Sequence, residues 1–188
     1  MLAPELAERV ARIADALEHA EIPYAFGGAI ALNYWAEPRS TYDIDVNIFL
    51  PETHAEPVLA VLIAAGVPID ATVELPKILR QGQTRIHWDV IPLDLFFLTV
   101  ALQESAQRRA RRVSFGAHEI NVLTGEDLAV CKILFNRDKD WSDLRGLLLM
   151  QGRSFDLAYT RAWLVEGLGE DDPRIARLDR LVAALELD

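Results

Sequence analysis

The spacing of apolar residues changes from helical to alternating along the first fifty residues. Apolar positions three or four residues apart predict an amphipathic helix over residues 4–20. A short strand at residues 24–26 follows and runs into a second helix over residues 28–36. Residues 42–50 place apolar and polar side chains at alternate positions, which predicts a strand with one buried face. The chain therefore begins as a mixture of helices and strands.

The pattern stays mixed up to about residue 122. An apolar helix is predicted over residues 53–65, after Pro51 ends the preceding strand. Residues 70–98 predict two or three strands, and a helix near residues 100–110 follows. A hairpin-like pair of strands at residues 112–122 completes this part.

From Thr124 onward the pattern is wholly helical. Residues 124–127 resemble a capping box that begins a helix containing Lys132. Ser154 and Asp172-Pro173 are predicted to begin two further helices. We therefore expect an α/β (α+β) domain at residues 1–122, with a small mixed sheet flanked by helices, and a C-terminal helical part at residues 123–188 packed on it.

Length and composition agree with this plan. The 188 residues are enough for one compact domain with a helical extension, and 51% of them are hydrophobic. Cys131 is the only cysteine, which excludes a disulfide framework. The longest apolar stretch, residues 58–67, is about half of what a membrane span needs. The first residues lack the pattern of a signal peptide, so we expect a soluble, cytoplasmic protein without a membrane partner.

Charge is unevenly distributed. The formal net charge of −10 argues against general coating of nucleic acid. Residues 76–150 differ, because 11 basic and 9 acidic residues give them a net charge of +2. A polyanionic ligand would have to bind to the arginine cluster within these residues, although a solvated helix end explains that cluster equally well. The cluster consists of Arg108, Arg109, Arg111 and Arg112.

Asp43 and Asp45 are the first candidates for chemistry. Residues two apart on a strand point to the same face, so these carboxylates would lie about 7 Å apart at the backbone. Such a pair can hold one or two divalent cations. The spacing alone is weak evidence, because a chain with 15 Asp among 188 residues contains about one such pair by chance. Asp138 and Asp140 form another pair in a helical region, where the side chains diverge.

The neighbourhood of this pair strengthens the metal interpretation. Gly27-Gly28 joins a strand directly to a helix, and such a turn presents backbone N–H groups to an anion, although it also occurs as an ordinary tight turn. An anion site beside a metal site is what a nucleoside triphosphate with Mg²⁺ requires. Asp94 interrupts an apolar strand, where a carboxylate needs a metal or a partner; we prefer it to Asp89 as the third carboxylate because its neighbours are more apolar.

Three motifs in this order resemble the nucleotidyltransferase fold of polymerase-β-like enzymes. Phe-Gly-Gly-Ala at residues 26–29, followed by Arg-x-Thr-x-Asp-Ile-Asp at residues 39–45, resembles the branch that holds the AbiEii and MenT-type toxins. Residues 132–143 resemble the Lys-x₄-Arg-x-Lys-Asp-x₂-Asp segment of the same branch. The chain departs from that pattern where Ala36 replaces Gly and Gly28 replaces Ser, and its C-terminal part is short beside the larger toxins.

The resemblance implies a role for each matching residue. Asp43, Asp45 and Asp94 would hold Mg²⁺, or Mn²⁺ in its place, and Asp94 would also help to deprotonate the acceptor hydroxyl. Lys132 would neutralise charge on the leaving pyrophosphate. The residues implied at the nucleotide are Gly27, Gly28, Arg39, Thr41 and Arg137. The segment Arg137, Lys139, Asp140 and Asp143 is expected to be mainly a salt-bridged scaffold.

The implied activity is Mg²⁺-dependent transfer of a nucleoside monophosphate from ATP or another nucleoside triphosphate to a hydroxyl, with release of pyrophosphate. In the toxin branch the acceptor would be the 3′ end of tRNA, and a cognate antitoxin would be the partner. A protein hydroxyl, a small-molecule hydroxyl and a non-catalytic nucleotide-binding module are the alternatives.

Overall fold

The computed structural model describes residues 4–98 and 101–187, which divide into two compact units. The first unit takes in residues up to 30 and residues 39–123. The second takes in residues 31–38 and those from 124 onward, so the later part of one helix belongs with the C-terminal helices.

The first unit contains a six-stranded sheet and most of the mixed part of the chain. Its strands are β1 (Tyr24–Phe26), β2 (Ile44–Pro51), β3 (Gln83–Trp88), β4 (Ile91–Leu98), β5 (Arg111–Phe115) and β6 (His118–Val122). Its helices are α1 (Pro4–His19), the start of α2 (Gly28–Trp35), α3 (Ala55–Ala64), α4 (Ala71–Gln81) and α5 (Ala101–Arg109). The strands lie in the order β3-β4-β2-β1-β6-β5.

Strand direction in this sheet is mixed. Strand β2 runs parallel to β4 and antiparallel to β1, whereas β1 runs parallel to β6. The hairpins β3–β4 and β5–β6 are antiparallel and place β3 and β5 at the two edges. The sheet therefore brings the start of β2, the start of β4 and the end of β1 to one end.

The alternation along β2 divides the sheet into an apolar and a polar face. Ile44, Val46 and Ile48 are fully buried, whereas Asp45 and Asn47 between them are partly exposed. The apolar stripe of α1 is buried as well, and burial of each such aliphatic side chain contributes about 1.5–3 kcal/mol. Polar side chains such as Asp45 and Asn47 therefore lie on the other face, where they are accessible to a ligand.

Residues 71–81 form helix α4, so the strand expected at this point is wrong. The Asp70 carboxylate accepts a hydrogen bond of 3.0 Å from the Thr72 N–H, which caps the start of the helix. Gly82, with a left-handed φ of 68°, ends it. The β-branched residues and Pro76 within the segment favoured extended structure, and these two caps outweigh them.

The second unit consists of helices joined by short turns. They are α6 (Gly125–Phe135), α7 (Asp138–Gln151), α8 (Leu157–Leu168) and α9 (Pro173–Ala184), and α6 packs on α7 and α8. Thr124 and Asp172 cap α6 and α9, as expected. Ser154 does not begin α8, however, because Asp156 accepts the 2.9 Å hydrogen bond from the Tyr159 N–H that caps it.

The segment at residues 132–143 is two helices rather than one. Asn136 adopts a left-handed φ of 56° and ends α6, and its side chain accepts a 2.8 Å hydrogen bond from Trp141 Nε1. Arg137 then precedes the first residue of α7. Within residues 4–98 and 101–187, no helix has both the length and the apolar character to cross a bilayer.

Candidate active site

The two carboxylates Asp45 and Asp94 lie directly opposite each other in the sheet. Strands β2 and β4 are parallel and in register, so that Asp45 pairs with Asp94 and Ile44 pairs with Leu93. Neighbouring strands are about 4.8 Å apart, and directly opposed residues share a face. Both carboxylates therefore project from the polar face, on adjacent strands, although they are far apart in sequence.

Asp43 lies one residue before β2, where a hydroxyl fixes the backbone. Thr41 is buried, and its Oγ1 accepts a 3.2 Å hydrogen bond from the Asp43 N–H. This local turn determines how the chain enters β2 and hence where Asp43 and Asp45 lie relative to each other. Thr41 thus acts on the backbone that holds the carboxylates.

Gly28 lies against the Asp45 carboxylate. A Cβ atom added at Gly28 would lie 1.8 Å from Asp45 Oδ2, and Gly28 has a φ of 51°, a region that favours glycine. A serine side chain at this position would therefore clash with Asp45 in this chain. The start of α2 therefore lies directly beside Asp45.

The two glycines differ in their backbone hydrogen bonds. The Gly27 N–H donates to the Asp45 carbonyl at 2.9 Å and so belongs to the sheet. Gly28 begins α2, and the first four N–H groups of a helix have no partner inside it. An anion at this turn would therefore meet the N–H groups of Gly28 and the residues after it, whereas Gly27 keeps β1 close to β2.

Asp94 has a partner that the sequence did not reveal. Arg85 on β3 pairs in register with Asp94, and its Nε and Nη2 atoms donate to the two carboxylate oxygens at 2.7 and 2.5 Å. The Asp94 side chain is only 12% exposed. These two hydrogen bonds, followed by the charges of Asp94, Asp43 and Asp45, raise the pKa of Arg85 above its usual value. The guanidinium thus lies in the field of all three carboxylates.

Asp89, the competing candidate, lies elsewhere. It occupies the turn between β3 and β4 with a φ of 53°, and its carboxylate accepts a 2.7 Å hydrogen bond from Arg9. The buried guanidinium of Arg9 also donates to the Trp88 carbonyl and lies over the Trp88 ring. Asp89 therefore takes part in a contact that ties α1 to the β3–β4 turn.

The carboxylates suit a divalent cation in kind and charge but do not surround one point. Mg²⁺ prefers oxygen donors such as these, and one of the three carboxylates, Asp94, already binds the cationic Arg85. Among the described residues, however, no three His, Cys, Asp or Glu side chains are grouped closely enough to hold a metal. Asp94 is engaged by Arg85, which lies on the side of β4 away from β2.

Arg39 lies shortly before the carboxylates and is exposed. Its Nη1 donates to the Ser40 carbonyl at 3.3 Å. The neighbouring Tyr42 has a side chain that is 75% exposed. Both residues precede Asp43 in the first unit.

Lys132 lies in the second unit and is buried in an ion-pair cluster. No acidic residue precedes or follows it by three or four positions, so the spacing offers it no partner on its own helix, yet the structure pairs it with carboxylates of the next one. Its Nζ donates to Asp143 Oδ2 at 2.6 Å and lies 3.9 Å from Asp140 Oδ1. The partners come from α7, the next helix, so spacing along α6 could not show them. The side chain is only 9% exposed.

Arg137 belongs to the same cluster. Its Nε and Nη2 atoms donate to the two oxygens of Asp140 at 2.7 and 3.1 Å, and its backbone N–H donates to the same carboxylate at 3.1 Å. Lys139 is exposed on α7. Two cations and two carboxylates thus join the end of α6 to the start of α7, in agreement with the scaffold expected for this segment.

The arginine cluster near residue 110 is divided by its contacts. Arg112 donates to Glu119 at 2.9 Å and to Glu18 at 3.1 Å, so two carboxylates offset its charge. Arg111 is exposed and begins β5, where it pairs in register with Val122. Val122 pairs in turn with Phe26 at the end of β1, so Arg111 lies at the end of the sheet that carries Asp45.

Comparison with known proteins identifies the fold. No protein-family model matches the chain, and no curated protein sequence matches it. The lincomycin-bound lincosamide antibiotic adenylyltransferase LnuA is 17% identical, with a TM-score of 0.50, over 74% of this chain and 94% of that one. The antibiotic-resistance factor ANT(2'')-Ia is 15% identical, with a TM-score of 0.51, over 97% and 95% of the two chains. With its six-stranded mixed sheet flanked by helices, the chain has the nucleotidyltransferase fold.

Proposed function

We propose that this protein is a nucleotidyltransferase that moves a nucleoside monophosphate from a nucleoside triphosphate to a hydroxyl group. One observation supports the proposal most directly: Asp45 and Asp94 face each other on parallel strands, and Gly28 at the start of α2 touches Asp45. In the nucleotidyltransferase fold, this arrangement combines carboxylates for a cation with backbone N–H groups for phosphate.

The three carboxylates would hold Mg²⁺, or Mn²⁺ in its place. Asp43 and Asp45 lie at the start of β2, and Asp94 would join them once Arg85 no longer occupies both of its oxygens. When bound, the cation would supply positive charge at the phosphates of the nucleotide.

The reaction itself needs few protein groups. The acceptor oxygen attacks the α-phosphorus, the bond from that phosphorus to the bridging oxygen breaks, and pyrophosphate leaves with the bond electrons. The hydroxyl proton passes to a carboxylate, for which Asp94 is the candidate because its polar-face position adjoins Asp45. The N–H groups at the start of α2 would bind the phosphates, and Thr41 would keep Asp43 in place.

Roles at the nucleotide are proposed for three arginine and lysine side chains. Arg39, exposed before β2, would contact phosphate. Lys132 acting on the leaving pyrophosphate would have to give up its 2.6 Å contact with Asp143. Arg137, about half exposed although bound to Asp140, would have to contact the nucleotide from that position.

A polyanionic acceptor is the preferred extension of this proposal. Arg111 is exposed at the same end of the sheet as Asp45, three strands away, and the register aligns it with Val46, which lies on the other face from Asp45. The resemblance to the toxin branch supports the tRNA 3′ end as acceptor, and with it a toxin that a cognate antitoxin neutralises. The small-molecule, protein and non-catalytic alternatives are distinguished by the experiment below.

The test is transfer of label from each of the four α-³²P nucleoside triphosphates, with Mg²⁺ or Mn²⁺, to total tRNA, to a protein extract and to lincosamide or aminoglycoside antibiotics. We expect label on the 3′ end of tRNA with the wild-type protein and none with Asp45→Asn or Asp94→Asn. Asp89→Asn is the matched control, since this carboxylate lies in the β3–β4 turn, and it should keep the wild-type rate. Label on protein or antibiotic would show that the acceptor is that molecule and not tRNA. Absence of transfer to all of them would overturn the proposed activity.

A further inference from the structure

Arg85 lies within the proposed metal site, on the polar face of the sheet. It occupies β3 opposite Asp94, and Asp94 lies opposite Asp45, so the three residues stand side by side on three adjacent strands. Along β3, buried and exposed residues alternate, and Arg85 is on the exposed side. The side chain is 54% exposed, so it can move without disturbing the core.

The contact between Arg85 and Asp94 uses both carboxylate oxygens. The Nε–Oδ1 and Nη2–Oδ2 distances of 2.7 and 2.5 Å describe the planar, two-bond pair that arginine forms with carboxylates. A carboxylate held in this way presents its best lone pairs to the guanidinium. Asp94 therefore cannot bind a cation in the usual manner while Arg85 is in place.

Arg85 also supplies the positive charge that the cluster requires. Asp43 and Asp45 act on it electrostatically in addition to Asp94, so one guanidinium offsets part of three negative charges. A divalent cation would offset the same negative charges with twice the positive charge. Both the guanidinium of Arg85 and a divalent cation would bind Asp94, and the two carboxylate oxygens cannot serve both at once.

We propose that Arg85 competes with the divalent cation for Asp94, so that the protein binds the metal only by breaking the Arg85–Asp94 pair. The inference rests on the proposed function and adds a positioning residue to it. In the metal-free protein, Arg85 keeps Asp94 ordered and prevents the third carboxylate from closing around a cation. The affinity for the metal is thereby lowered.

The test measures Mn²⁺ binding directly, by the loss of the electron paramagnetic resonance signal of free Mn²⁺ on titration with protein. Arg85→Gln should bind Mn²⁺ about tenfold more tightly than the wild type, since a charge-assisted pair no longer has to be broken. Arg85→Lys, which keeps the charge but cannot form the planar pair, should fall between them. Arg80→Gln removes the same charge from an exposed position on α4 and should match the wild type.

Thermal unfolding gives a second readout that does not depend on activity. Without metal, Arg85→Gln should melt at a lower temperature than the wild type, because Asp94 loses its partner, and Mn²⁺ should raise its melting temperature by more. Equal Mn²⁺ affinity in the wild type and Arg85→Gln, abolished in both by Asp45→Asn, would overturn the competition and leave the proposed function standing. Absence of Mn²⁺ binding in all variants, with or without a nucleoside triphosphate, would overturn both.

Discussion

A single hydrogen atom in place of a side chain shapes the candidate site at Gly28. The residue combines a left-handed φ with direct contact to the Asp45 carboxylate. Any Cβ at this position would strain the backbone and push the carboxylate away. The glycine therefore affects both the phosphate end and the metal end of the proposed site.

Replacing Gly28 with alanine tests this double role. Gly28→Ala should cost about 1–3 kcal/mol of unfolding free energy from the left-handed backbone and should abolish stabilisation by Mg²⁺ with a nucleoside triphosphate, because Asp45 is displaced. Thermal unfolding with and without the ligand measures both effects. The control is Gly116→Ala, where φ is also left-handed, at 60°, and nothing lies within 4 Å of the added Cβ. Gly116→Ala should lose unfolding free energy from backbone strain and keep the ligand stabilisation. If Gly28→Ala also kept the ligand stabilisation, Gly28 would not belong to the site.

At the scale of single residues, the candidate site could be predicted from the sequence only in part. Asp43, Asp45 and Asp94 could be singled out because charged residues stood in apolar or alternating strands. Arg85 could not, since an exposed arginine on an edge strand is ordinary, and only the register of β3 on β4 places it at Asp94. The partners of Lys132 were hidden for the same reason, because they belong to another helix.

Among the elements, α6 and α7 are joined by buried charge. Lys132 reaches from α6 to Asp143 on α7, and Arg137 holds Asp140 at the turn between them. Buried pairs contribute little net stability over apolar residues, but removing one partner leaves an uncompensated charge. The cluster therefore makes the geometry of this turn sensitive to a single substitution.

Substitution of Lys132 separates a structural from a chemical role. Lys132→Met should lower the unfolding free energy by about 3–5 kcal/mol, since the largely buried Asp143 loses the ammonium that it accepts from, as measured by urea denaturation. Lys139→Met, on the exposed side of α7, should stay within about 0.5 kcal/mol of the wild type. A Lys132→Met protein as stable as the wild type, with transfer reduced about a hundredfold, would contradict this and assign the lysine to the pyrophosphate.

The sequence predicted helices and strands correctly where a regular apolar pattern extended over many residues, and it failed at residues 71–81. Helix α1 and strand β2 have clear periods and are present within two residues of their predicted bounds at each end. In α4 the pattern Thr-Val-Glu-Leu-Pro favoured a strand, and the deciding features were the caps Asp70 and Gly82 at its two ends. The composition within the segment favoured a strand, whereas the residues at its two ends favoured a helix.

On the scale of the whole molecule, a net charge of −10 has to be reconciled with a polyanionic acceptor. The overall field repels tRNA, so binding would depend on a local positive patch. Within the arginine cluster, Arg112 is offset by Glu18 and Glu119, whereas Arg111 is exposed at the sheet end that carries the carboxylates. The two neighbouring arginines should therefore contribute unequally.

Salt dependence of tRNA binding measures this difference. Arg111→Gln should flatten the slope of log affinity against log salt concentration by about one unit, as expected for one lost phosphate contact. Arg112→Gln should leave the slope nearly unchanged, because its charge is already paired. Filter binding over a range of salt concentrations gives both values. Affinity that ignores salt, or equal slopes in all three proteins, would exclude this surface and favour a small-molecule or protein acceptor.

The parallel pairing of β2 with β4 has a consequence for the order in which the protein matures. Asp45 and Asp94 meet only after the chain between them has closed a long crossover, which is among the slowest contacts to form in folding. A nascent chain that ends before β4 already carries Asp43, Asp45 and both glycines, yet it has no strand to bring a third carboxylate to them. The proposed catalytic centre therefore comes into being late, as a product of long-range sheet assembly, and partly synthesised chains remain inert.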